Sequence, residues 1–305
     1  MRRTVSLGLR ILGLALVLFV VLPVAAGLTG VAGAEVSKDG ASAPNSSAGT
    51  AVLALAAFCL LTAAVCSWLI VRSTLFGWRL VGALFLVYFG LGTFLLQVES
   101  VIFLPRHLPP GFVPRLFAMG ALIALVFAPA AVWIHGRRRP PASPAPATGG
   151  LSLSPAEWTL RLAWLAAAYV ALYFLAGYFI AYRNPEVVAY YDDVAEGSFL
   201  AAMHRLWVSM PWIFPVQVLR GVLWVAFVLP FIASFRGRSW ELPLLVGCTY
   251  SVWLVGLFAP NPYMPESVRM SHFVETASSN FVFGCLVGAS FARARRTEHD
   301  GARAA

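Results

Sequence analysis

Eight apolar runs, each about 20 residues long or longer, recur along the 305-residue chain at roughly 9–31, 50–72, 79–103, 114–135, 157–182, 212–235, 241–260 and 269–292. Wound as an α-helix, a run of that length spans the hydrocarbon core of a bilayer. No segment between the runs is long enough for a soluble domain of ordinary size. The sequence therefore predicts an all-α fold, one polytopic membrane bundle of eight transmembrane helices. A chain that is 60% hydrophobic and 11% charged, with mean hydropathy +0.79, agrees with that reading.

The net charge of +9 is a threading signal and does not point to nucleic acid. With the N-terminus inside, fourteen arginines fall on the cytoplasmic side: Arg2, Arg3, Arg10, Arg72, Arg79, Arg137, Arg138, Arg139, Arg236, Arg238, Arg293, Arg295, Arg296 and Arg303. The other side holds six cations, Lys38, Arg106, Arg115, Arg183, Arg205 and Arg269, while Arg161 and Arg220 lie within spans. This asymmetry obeys the positive-inside rule and places both termini in the cytoplasm. A preference for Arg over Lys of 21 to 1, with many alanines, suggests a high-GC bacterium and hence its inner membrane.

The first run raises an alternative. A basic start, an apolar stretch and Ala32-Gly33-Ala34 fit a cleavable signal peptide, which would leave seven spans. The stretch Ile11 to Leu28 is longer than an ordinary signal core, which favours a retained helix. Cys59, Cys66, Cys248 and Cys285 all sit in spans without a CxxC pair and read as small packing residues. Cys248 and Cys285 share a depth that allows contact.

Among the loops, 34–49 is small and polar, with an Asn45-Ser46-Ser47 sequon that matters only in a secretory eukaryotic context. The stretch 136–154 is a Pro/Ala/Gly-rich cytoplasmic linker between two four-helix halves. The outer loop 183–210 carries two short helix signals, Asn184-Pro185 and Ser198. Phe199, Leu200, Met203, Leu206, Trp207 and Met210 share one face of the second, the pattern of a helix lying in the membrane interface or covering the bundle mouth.

Polar residues inside the spans carry the functional question, because ionisable groups in lipid are costly. Counted at about 1.5 Å per residue from inner anchors, Asn280, Glu275 and His272 lie at depths of about 20–31 Å, Arg220 and Gln217 at about 24–28 Å, and Gln97 and Glu99 at about 27–30 Å. Three non-adjacent spans thus place polar groups in one outer-leaflet layer. His272, Glu275, Thr276 and Ser279 form one helical stripe with Asn280 at its edge, beside a Gly284/Gly288 face suited to close helix contact. Trp224, one turn below Arg220, is placed to stack on the guanidinium. Gln97 and Glu99 cannot both point inward on a regular helix: Glu99 is favoured because Arg220 needs a carboxylate, Gln97 is its rival for the inward position, and Arg220 is expected to pair with Glu275 or Glu99.

The candidate ligand-binding set is therefore Glu99, Gln97, Gln217, Arg220, His272, Glu275, Ser279 and Asn280. Three functions compete: an outward-facing pocket for a small solute or ion, a membrane-embedded enzyme using Glu275 or Glu99 with His272, and a partner or sensor subunit whose polar layer only sets packing. His107, His204 and His272 share the outer side, but no HExxH or comparable ligand motif is present and no metal is assigned. No GxSxG or P-loop identifies a reaction or cofactor. His135 and His299 belong to the basic cytoplasmic ends and read as solvated.

Overall fold

The computed structural model describes residues 2–34, 48–140, 151, 153–191 and 197–304, with side chains described between 6 and 292. The sequon, most of the 136–154 linker, Asp192 and Asp193 lie outside these residues. All regular structure among them is helical apart from one isolated bridge between Ser73 and Phe235. In order the helices are α1 (Arg2–Leu28), α2 (Ala48–Arg72), α3 (Gly77–Phe103), α4 (Phe112–Ile134), α5 (Pro155–Arg183), α6 (Pro185–Tyr190), α7 (Phe199–Ser209), α8 (Ile213–Ala233), α9 (Glu241–Phe258) and α10 (Glu266–Ala304).

Seven of these, α1 to α5, α8 and α9, are long and apolar enough to cross a membrane. The run expected as an eighth span lies within α10, which is not among the seven because its first half is polar. Its second half still belongs to the bundle, since Phe283, Val287 and Phe291 are fully buried in the common core. The molecule is a multi-pass membrane helix bundle, and its exterior is what lipid requires. Leu53, Leu160 and Leu9 are 72%, 72% and 64% exposed, and of the described α1 side chains only Leu14, Leu18 and Ala25 are buried. Exposed Trp78, Trp133 and Trp240 ring one end of the bundle, and Trp207 and Trp212 the other, as interfacial anchors do.

The end with Trp78 is sewn together by arginines. Arg72 pairs with Glu241 at 2.7 Å. Arg137 donates to the carbonyls of Ile70 and Ser73, both at 2.8 Å. Arg10 donates to the carbonyl of His135. His135 itself corrects the sequence expectation: it is buried, with Nδ1 2.9 Å from the Ala131 carbonyl. Burial holds its imidazole below the ordinary value, with Arg10 and Arg137 adding to the effect.

Glycine sets the closest approach, between α9 and α10. A Cβ on Gly284 would stand 2.7 Å from the Gly247 Cα, and one on Gly288 would stand 2.5 Å from the Pro243 Cα. The expected Gly284/Gly288 face thus packs backbone against backbone. Cys285 Sγ lies against the same Gly247, next to Cys248, and both thiols are free.

At the opposite end the expected caps form. Asn184 Oδ1 accepts from Glu186 N at 3.0 Å to start α6, and Ser198 accepts from Ala201 N to start α7. Asn184 Nδ2 also donates to Ser267 and Ser271, at 2.7 and 2.8 Å, tying this turn to α10. No residue of α7 is buried, and Leu200, Trp207 and Val208 stay exposed. Arg269 is buried rather than a loop cation. It donates to the carbonyls of Leu257 and Ala259, at 2.7 and 2.8 Å, closing the end of α9.

Candidate functional site

Helix α3 is not a regular α-helix. Residues Leu86–Phe94 wind as a π-helix, which shifts the facing of every residue beyond them. Close neighbours sit at its glycines: a Cβ on Gly90 would lie 2.5 Å from the Phe227 ring, and one on Gly92 would lie 2.6 Å from the Trp253 ring. Beyond the π stretch, Glu99 faces α8.

There the charge layer forms as an ion pair with supports. Arg220, 3% exposed, donates from Nη1 to Glu99 Oε1 at 2.5 Å and to Gln217 Oε1 at 2.8 Å. Its Nη2 donates to the Leu95 carbonyl at 3.2 Å, at the junction where α3 returns to α geometry. The rings of Tyr169 and Tyr173, one turn apart on α5, flank the guanidinium at 5.8 and 5.9 Å. Trp224 does not stack there as expected. It packs on Tyr250 at 4.6 Å, and the Tyr250 hydroxyl donates to its carbonyl. The expected rival pairing of Arg220 with Glu275 is likewise not formed.

Glu275 has a different partner. Its Oε2 lies 2.8 Å from His272 Nδ1, and His272 Nε2 lies 3.0 Å from the Tyr191 hydroxyl. Glu275 as a residue is 8% exposed, and its Oε1, beside Gly177, accepts no hydrogen bond among the described residues. Thr276 donates to the His272 carbonyl and Ser279 to the Thr276 carbonyl, so both hydroxyls are turned back on their own helix. Asn280, 9% exposed, finds no hydrogen-bond partner among the described residues.

These groups enclose one cavity of about 30 Å³, walled by Glu99, Tyr169, Tyr173, Arg220, Glu275 and Asn280, with Thr276 and Ser279 beside them. That is room for about one water molecule. Of the residues singled out from sequence, Glu99, Arg220, Glu275, Ser279 and Asn280 meet at the cavity. Gln217 and His272 stand behind it, each bonded to a wall residue. Gln97 is apart, and its buried Oε1 lacks a protein partner. Tyr169 and Tyr173 were missed, although two tyrosines four apart in an apolar span are themselves a signal of a polar face. Among the described residues no three His, Cys, Asp or Glu side chains cluster as metal ligands, and His107 is stacked on Tyr190 at 4.2 Å.

Compared with models of known protein families, with characterised proteins and with solved structures, the chain shows no significant match to any.

Proposed function

We propose that this multi-pass membrane protein binds a small solute or ion at the Glu275 pocket and passes it across the membrane. In this reading the arginine-rich end is cytoplasmic, the membrane is a bacterial inner membrane, and the pocket opens toward the outer face. Two unpartnered polar groups carry the proposal. Glu275 Oε1 and the Asn280 amide, both on residues at least nine-tenths buried, border one cavity without a protein hydrogen bond. The two terminal nitrogens of Arg220 on the same cavity wall are satisfied by the protein, whereas these two groups face the cavity itself. Groups left open within a cavity are the usual form of a ligand site. The cavity as it stands has room for a water or a small ion, so a larger solute requires α10 to separate from α5 and α8.

Ligand-induced stabilisation of the purified protein tests the proposal. Screened against monovalent and divalent ions, amino acids, sugars and organic acids, the wild type should be stabilised by at least one species. A ligand at a hundred times its Kd adds about 2.7 kcal/mol to unfolding. Asn280→Ala and Glu275→Gln should each abolish that gain. A species that stabilises all three proteins equally, or a screen in which none stabilises the wild type, counts against the pocket.

A further inference from the structure

We infer that Tyr191, His272 and Glu275 form a proton wire, so that Glu275 is a reversible proton-loading site and the proton is one of the ions this pocket handles. The inference rests on the pocket being a ligand site. Its own support is the unbroken line of hydrogen bonds, 3.0 Å and then 2.8 Å, from a part-exposed phenol to a carboxylate at the cavity wall.

Chemistry fixes the direction of each bond. Burial holds the Tyr191 phenol far above its ordinary value, with the neighbouring Tyr190 and Tyr182 adding to the effect, so its oxygen stays protonated. The hydroxyl therefore donates to His272 Nε2, which leaves the ring proton on Nδ1, where it donates to Glu275 Oε2. A proton arriving on the Tyr191 oxygen releases the phenol's own proton to Nε2. The ring then passes its Nδ1 proton to Oε2. One proton has entered, the carboxylate has become a neutral acid, and the imidazole and phenol are again neutral, the imidazole as its other tautomer. Reverse transfer restores the start.

The surroundings suit loading at Glu275 rather than Glu99. Facing Glu275 are Glu99 from α3, Arg220 from α8, and Tyr169 and Tyr173 from α5. Of the two carboxylates, Glu99 is committed to the Arg220 guanidinium. Glu275 has only an imidazole for a partner, so taking up a proton breaks no ion pair with an arginine. The wire is also held in line. Tyr191 packs edge-on against Phe103 and Tyr190 and stacks with Tyr182, and Asn184 anchors its turn to α10.

Infrared difference spectroscopy on the full chain in lipid, with external acidification as the trigger, tests the wire. The carbonyl stretch of a protonated carboxylic acid should appear in the wild type and be absent in Glu275→Gln. Tyr191→Phe keeps the ring packing and removes only the hydroxyl, so loading should slow by at least about tenfold. If the band belongs to Glu99, or if Tyr191→Phe loads at the wild-type rate, the wire is wrong. Should Glu275→Gln fail to fold, the Tyr191→Phe rate decides alone. A ligand that stabilises the wild type while Glu275 never titrates would overturn the wire and spare the pocket. The converse result would overturn the solute pocket and spare the wire.

Discussion

Glu99→Leu should destabilise the bundle by about 3–5 kcal/mol, and adding Arg220→Met should recover more than half of that loss. The single change strands a guanidinium that is 3% exposed and has only neutral acceptors left, Gln217 and the Leu95 carbonyl. The second change removes the stranded charge. It does not recover everything, because the Gln217 amide oxygen then loses its donor, at about 1–3 kcal/mol for an unsatisfied group. Denaturant unfolding in micelles gives the coupling as a double-mutant cycle. The same cycle for Arg220 and Glu275 should give a much smaller coupling, since Glu275 is held by His272. Equal coupling in the two cycles would mean that Arg220 exchanges between the carboxylates.

The second large effect is steric. Gly288→Val should lower stability by about 3 kcal/mol or more, at the upper end of overpacking costs. The obstacles to a Cβ at Gly288 are backbone atoms, the Pro243 Cα at 2.5 Å and the Leu242 carbonyl at 2.7 Å, which cannot swing aside as a side chain can. Gly284→Ala should behave alike against Gly247 and Val246. Gly13→Ala is the control, because nothing lies within 4 Å of the added methyl and α1 should tolerate it without loss. If Gly288→Val and Gly13→Ala unfold at the same denaturant concentration, α9 and α10 are not in backbone contact.

Much of this architecture was legible in the sequence because the membrane imposes simple rules. Run length located seven of the expected spans, and Gly284 and Gly288 announced a tight helix contact without naming its partner. Counting residues from the inner anchors placed Glu99 and Arg220 at one depth, and they do pair. Depth is an axial coordinate, however, and it says nothing about rotation around a helix. The π stretch in α3 changes the rotation of the helix beyond it, where Glu99 meets Arg220. No periodic pattern announces such a stretch. The same limit explains Trp224, which was expected on Arg220 and lies on Tyr250. His135 looked solvated because it precedes Arg137, Arg138 and Arg139, yet a carbonyl one turn back and the Arg10 contact draw it inside. Tyr169 and Tyr173 were overlooked because aromatic residues in a span read first as apolar filling.

The central claim is that the Glu275 pocket communicates with the outer aqueous face and does not merely hold helices together. Cysteine accessibility measures this most directly. In a background lacking Cys59, Cys66, Cys248 and Cys285, Ser279→Cys and Asn280→Cys should react with a charged, membrane-impermeant thiol reagent added to the outer side of intact cells. Ser290→Cys, near the Arg161 end of α10, should not react. Labelling of the two pocket positions, with Ser290→Cys silent, is the predicted result. If both pocket positions stay unlabelled in folded protein, or react only from the cytoplasmic side, the claim of an outward-facing pocket is contradicted.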